Sequence, residues 1–180
     1  HLSICNADQR YYQGLRAEAV LKKKLPMALI HEGIGRVIYD PTGHFEQGTL
    51  VVMIPNTPVE QDEIIAENYL RSSKFRASGF DGFMQEYVSM EPDRLVVLPE
   101  DINLSVAAFT EIVSVSYHAI QRFLRFSHER RNVIGVWGDG NLGYITSLLL
   151  KKLLPNTKVC VFGVNEYKLN DFSFVDDTYL

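Results

Sequence analysis

The run Asn132-Val-Ile-Gly-Val-Trp-Gly-Asp-Gly-Asn-Leu-Gly-Tyr144 constrains this chain more than any other stretch. An apolar strand, Val133 to Trp137, leads directly into Gly138-Asp-Gly140-Asn141-Leu142-Gly143. A helical pattern then spans Tyr144 to Leu154, and a second apolar strand follows at Lys158-Val-Cys-Val-Phe162. Strand, GxGxxG, helix, strand is the context that a dinucleotide-binding turn requires. Each glycine then has its own job. Gly138 permits the tight turn, Gly140 lets the backbone approach a pyrophosphate, and Gly143 lets helix and strand pack closely. The N–H groups freed at the helix start, around Asn141 and Leu142, face the phosphates. The competing reading is a glycine turn that serves packing alone.

The bulk properties narrow the class. A chain of 180 residues suits one domain or a little more, and 46% hydrophobic with 22% charged residues describes an ordinary globular sequence. The net charge of −4 offers no basic footprint for nucleic acid. No apolar run reaches the ~18 residues of a membrane span. Two cysteines, Cys5 and Cys160, do not make a disulfide framework, so a reducing cytoplasm is expected. The start, His1-Leu-Ser-Ile-Cys5, resembles neither an initiating methionine nor a signal peptide. The nucleotide unit begins near Asn132 and has room for two strands before Leu180, whereas a complete doubly wound sheet has about six. The expectation is a fragment.

The first 100 residues read as short strands between Gly and Pro turns, which predicts a small barrel. Ala28 to Tyr39 is a strand bent at Gly33 and Gly35, and Thr49 to Ile54 is a second. Gly82 to Met90 and Arg94 to Leu98 read as a pair. Val59 to Ser78 is a polar excursion, and Leu104 to Phe126 is helical with Ser105 as its N-cap. The fold expectation is therefore α/β with a β-barrel part, divided into residues 1–126 and 127–180.

Several residues could carry chemistry. His31-Glu32 sits in the glycine-bent strand, Cys5-Asn-Ala-Asp8 offers a thiolate and a carboxylate, and Glu111 lies in the helix. A catalytic zinc takes three protein ligands from Cys, His and carboxylate. Cys5, His31 and Glu111 fit that inventory. So does the plainer alternative of a buried cysteine, a hydrogen-bonded histidine and a helix carboxylate.

At this point five linked motifs converge. Cys5-x-x-Asp8, His31-Glu32-Gly-x-Gly35, Phe45-x-x-Gly48, Gly82-Phe-x-x-Glu86-Tyr and the Gly138–Gly143 run resemble, in order and spacing, the zinc-dependent medium-chain alcohol and polyol dehydrogenases. The resemblance implies a GroES-like barrel followed by the start of a Rossmann domain. In the branch similar to sorbitol dehydrogenase it implies zinc ligands Cys5, His31 and Glu111, with Glu32 as a fourth or exchanging ligand. Asp8 then orients His31, His118 is structural, and Cys160 is packing. The resemblance also implies a homo-oligomer. Two departures stand out. Ala7 occupies a position where relatives often carry a proton-relaying hydroxyl, so water or Tyr12 must serve. The segment from Pro58 to Ser78 lacks the four cysteines of a structural zinc, so only one, catalytic, zinc is expected.

Coenzyme choice follows from charge. The acidic residue that hydrogen-bonds a ribose 2′-OH stands at the end of the second strand. Here that place is Gly163, and Lys168 offers a cation to a 2′-phosphate, which favours NADP(H) over NAD(H). In the competing reading Glu166 reaches the ribose and Lys168 is solvated.

Four segments narrow the resemblance further. They are Cys5 to Gly14, Leu25 to Gly33, Val52 to Pro58 and Trp137 to Thr146, and they look like the reductases of ribulose 5-phosphate. Those enzymes supply ribitol 5-phosphate to teichoic acid or capsule polymers beside a ribitol-phosphate cytidylyltransferase. A phosphorylated sugar needs a cationic anchor, and Arg10, Arg71, Lys74 and Arg76 are the candidates. The alternatives are an NAD-dependent polyol dehydrogenase and a metal-free quinone-reductase-like or nucleotide-binding regulatory protein.

Overall fold

The computed structural model describes residues 1–180. The chain forms two compact units, His1–Glu111 and Ile112–Leu180. No helix is long and apolar enough to cross a membrane.

The first unit is built on a four-stranded antiparallel sheet in the order β1 (Leu2–Ser3), β2 (Glu32–Arg36), β3 (Leu50–Met53), β6 (Leu95–Val97). A separate ribbon pairs β4 (Asn56–Thr57) with β5 (Lys74–Phe75). Strand β3 is the spine. All four of its residues are buried, so its Leu-Val-Val-Met sequence shows no alternation. Leu50 and Val52 join Ile34 and Ala107 in one apolar cluster, with Leu98, Ile102 and Leu104 packed against it. Two helices, α1 (Asn6–Tyr12) and α2 (Glu18–Lys24), precede β2.

Several expectations shift. The first 100 residues are not strands throughout, because α1 and α2 occupy positions where short polar sequences hide a helical period. The strand expected over Ala28 to Tyr39 shrinks to β2. Gly82 to Met90 forms no strand, and β6 pairs instead with β3, Val96 opposite Val52. The helix expected from Leu104 breaks into α3 (Leu104–Ala107) and α4 (Thr110–Phe126). The α3 cap is Asn103, whose side chain accepts from the N–H groups of Ser105 and Val106. An Asn cap two residues before Ser105 serves the same physical need.

The second unit is a parallel sheet, β7 (Val133–Trp137), β8 (Lys158–Phe162), β9 (Asp177–Tyr179), connected through α5 (Asn141–Leu153) and α6 (Glu166–Leu169). Helix α4 contributes Ile120 to its core, where Ile134, Leu150 and Val159 meet, so this helix does not close the first unit at residue 126. The unit holds three strands rather than two. Strand β9, Asp-Thr-Tyr, escapes a search for apolar runs. It is held by Asp176, whose carboxylate accepts from the Val159 N–H at 2.6 Å and from Lys151 at 2.9 Å. The last residues of the three strands stack: Trp137 lies 4.7 Å from Phe162, and Phe162 4.9 Å from Tyr179, between ring centroids. Gly135 makes room for this, since a Cβ there would strike the Trp137 ring at 2.7 Å.

Replacing Ile34 by Ala removes a fully buried side chain beside β3 and is expected to cost about 3 kcal/mol, read as a lower urea midpoint. The Asp176 carboxyl is held below its usual range, first by the Val159 N–H and then by Lys151. A depressed folded value gives stability that is present above the unfolded pKa and lost as pH falls through the folded one. Asp176→Asn therefore lowers the melting temperature at neutral pH, and its deficit against the parent shrinks below about pH 4. A deficit that stays constant down to acid pH would contradict this role.

Candidate functional site

Cys5 is the N-cap of α1, and its backbone and side chain are both engaged there. The Sγ accepts from the Ala7 N–H at 3.5 Å, and the Cys5 N–H donates to Asp8 Oδ2 at 3.1 Å. This is a capping box with a thiol in the place usually taken by a hydroxyl. The other Asp8 oxygen, Oδ1, accepts from the Ile30 N–H at 2.8 Å. One buried carboxylate thus ties the helix that presents Cys5 to the segment that presents His31.

Ile30 has φ +69°, a left-handed backbone that a β-branched residue rarely adopts. The surrounding bonds impose it. Asp8 holds the Ile30 N–H, and the Phe83 N–H donates to the Ile30 carbonyl at 2.6 Å. The Gly82 and Met84 N–H groups add bonds to Ala28 and Leu29, at 2.8 and 3.0 Å. Gly82 is obligatory for this docking, because a Cβ would collide with the carbonyls of Leu29 and Ile30. Phe83, 1% exposed, seals the contact. The bend sets where His31 enters β2. Such strain persists only where neighbours over-determine it. Its prediction is direct. Gly82→Ala costs about 3 kcal/mol in thermal or chemical unfolding, and Gly35→Ala, where a Cβ meets nothing within 4 Å, costs far less.

Three potential ligand atoms converge here. Those of Cys5, His31 and Glu32 all lie within 4.8 Å of one another. His31 Nε2 is 3.8 Å from Glu32 Oε1, and Nδ1 is 3.8 Å from Asp8 Oδ2. The Phe75 ring packs 5.1 Å from the imidazole. Two donors sharing one tetrahedral zinc lie roughly 3.3–3.7 Å apart, so side-chain shifts of about 1 Å bring this set to coordination distance. The electrostatics agree with a cation. Burial pushes the Cys5 thiol up, with Glu32, Asp8 and Glu111 adding to it against the lowering effect of the Ala7 N–H. Burial, and secondarily Glu32, pushes the Glu111 carboxyl up to about 7. A thiol and carboxylates that oppose one another's ionisation form a donor set that a divalent ion relieves. The structure brings Cys5, His31 and Glu32 together; Glu111, expected as the third ligand, stands outside that group and acts on it through its charge.

The nucleotide turn lies in the second unit. Gly138 has φ +138° and Gly140 caps α5, and a Cβ on either would meet only open space. A Cβ on Gly143 would run into the Gly138 carbonyl. The first two glycines leave an open cradle beside Asn141 and Leu142, and the third closes helix onto strand. A cleft of about 510 Å³ opens beside the turn, lined by Asp139, Gly140, Asn141, Tyr144, Lys168, Asp171 and Phe172.

The four cations proposed for a phosphate are not brought together by any bond among them. Arg10 is exposed and donates to the Leu15 carbonyl at 3.4 Å. Arg71 is exposed, and Lys74 places its ammonium 5.1 Å from the Phe80 ring. Arg76 donates to the carbonyls of Asp81 and Ser89 at 3.1 and 2.9 Å. Tyr12 is 85% exposed, and Cys160 is buried in β8. Sequence reasoning missed Phe75 and the strained Ile30, for which no local signal exists. It also missed Asp139, which stands inside the glycine motif itself.

Residues 1–100 match the alcohol dehydrogenase GroES-like domain, and the chain belongs to that family. The family expectation drawn from the five motifs holds. The chain is 64% identical over 179 residues to a ribulose-5-phosphate reductase of Bacillus spizizenii and to ribulose-5-phosphate reductase 2 of Staphylococcus aureus. These alignments cover 99% of this chain and 52% of each relative, so the chain spans about half their length. A crystal structure of S. aureus TarJ in complex with NADPH superposes with a TM-score of 0.79 at 52% identity, covering 99% of this chain and 49% of that one.

Proposed function

We propose that this protein reduces D-ribulose 5-phosphate to D-ribitol 5-phosphate with NADPH and one catalytic zinc. The convergence of Cys5, His31 and Glu32 beside Glu111 carries the reading, and the 64% identity to ribulose-5-phosphate reductases supports its substrate. The zinc would be held by Cys5, His31 and Glu111, with Glu32 as an exchanging ligand, and the coenzyme over Gly138, Gly140, Asn141, Leu142 and Gly143. When bound, the two groups supply Lewis-acid polarisation of the ketone and a hydride.

The chain's own residues supply the rest. Asp8 and the Ile30 bend fix Cys5 and His31 relative to each other, and Asp8 near Nδ1 keeps Nε2 available as the ligand atom. Burial and Glu32 resist ionisation of Glu111 in the absence of a metal, so binding a cation there would release a proton. Phe75 covers the imidazole and reduces water access on that side. Among the cations, Arg10 suits the substrate phosphate best, since it rises from the helix that Cys5 caps and holds one long hydrogen bond. Arg76 is committed to two carbonyls. NADPH is supported by Gly163 and Lys168 and by the NADPH complex of the TarJ relative. We place the protein in the cytoplasm as a homo-oligomer. Its product would serve a ribitol-phosphate cytidylyltransferase in teichoic acid or capsule synthesis.

Following NADPH absorbance with D-ribulose 5-phosphate in the intact protein tests this. Rapid oxidation with NADPH, slow with NADH, is expected. Cys5→Ser is expected to lose most bound zinc and at least ~100-fold of the rate. A folded, zinc-loaded protein that oxidises neither coenzyme would overturn the substrate assignment.

A further inference from the structure

Asp139 occupies an unusual place. It is the variable residue between Gly138 and Gly140, yet its side chain crosses to the far end of β8. Oδ2 accepts from the Val164 N–H at 2.9 Å and from the Asn165 N–H at 2.8 Å. A Cβ built on Gly163 would lie 2.8 Å from both Asp139 Cβ and Oδ2. The space of the missing side chain at the end of β8 is therefore shared by the Leu169 side chain and a carboxylate delivered from another loop. The Asp139 carboxyl is held below its usual range, chiefly by the Val164 N–H, with Asn165 and Lys168 adding to the effect, so it is charged at neutral pH. It lines the 510 Å³ cleft together with Lys168 and a second carboxylate, Asp171.

The end of the second strand is where an acidic side chain meets the ribose 2′-OH in this type of unit. Gly163 by itself reads as an absence of charge there, but the structure restores a negative charge within contact of that position. We propose that Asp139 is a coenzyme-selecting residue: a carboxylate transposed from the strand end to the glycine turn, which opposes the 2′-phosphate that Lys168 attracts. Selection at the ribose is then set by the charges facing the same cleft, Asp139 and the neighbouring Asp171 against Lys168, with Asp139 the one seated at the strand end, and is not the consequence of Gly163 alone. The inference rests on the dinucleotide reading of this unit, and it does not depend on which coenzyme the parent prefers.

The test is a pair of dissociation constants, for NADPH and NADH, measured by fluorescence titration on the intact protein and on Asp139→Asn and Asp139→Ser. Removing one charge at contact range through partly aqueous surroundings changes affinity roughly three- to tenfold. Both variants are therefore expected to raise the ratio of the NADH constant to the NADPH constant by that factor. A purely structural role would weaken both coenzymes together and leave the ratio where it was, which overturns the proposal. A parent that binds NADH more tightly, in which the variants still shift the ratio towards NADPH, sinks the NADPH assignment and leaves the Asp139 inference standing. Should both variants fail to fold, the parent decides by NMR. The Val164 and Asn165 amide resonances must differ between the NADPH and NADH complexes, and identical resonances refute the inference.

Discussion

A single buried carboxylate, Asp8, sets the geometry on which the first unit's chemistry depends. Its two oxygens accept from the Cys5 and Ile30 N–H groups, and one of them faces the His31 imidazole. Remove it, and two backbone donors lose their partners while the thiol and the imidazole lose their common reference. Buried donors left unsatisfied are expensive, commonly about 1–3 kcal/mol each. The same carboxylate adds, after burial and Glu32, to the surroundings that make the Cys5 thiolate harder to form.

The second unit works by subtraction. Gly138 and Gly140 leave volume open, Gly143 lets the helix start press against the Gly138 carbonyl, and Gly163 clears the floor on which Asp139 lies. Each missing side chain is matched by a specific occupant or a specific vacancy for backbone approach. Asp139 is the occupant with charge. Its hydrogen bonds fasten the segment after β8 to the segment after β7, so the two loops flanking the cleft are one hydrogen-bonded piece.

Much of this was legible in the sequence, for identifiable reasons. The strand–glycine–helix–strand order appears as β7, α5 and β8 because apolar runs and glycines are local signals. Cys5 and His31 could be singled out because the chain has only two cysteines and five histidines from which to draw metal ligands. What stayed hidden is non-local. The pairing of β6 with β3 joins residues more than 40 positions apart, and nothing in the apolar run Leu95-Val-Val-Leu98 names its partner. Helix α1 is too short for periodicity, and its cap is a cysteine. Strand β9 carries an acid at its first position. The left-handed Ile30 leaves no mark on composition, since the conformation is imposed by Asp8 and Phe83 from elsewhere in the chain. Asp139 lay in plain view within the motif, but only its contact with Gly163 shows what it does.

The aromatic stack at the strand ends has an optical consequence. Trp137 is the chain's one tryptophan, 76% exposed and lying flat on Phe162. Its emission therefore reports on the second unit alone, with no indole in the first to obscure it. The indole is joined through its own strand to the turn that begins at Gly138, so quenching or a spectral shift there is an intrinsic readout of changes at that turn. The molecule carries its own dye, one residue from the glycine that opens the cradle.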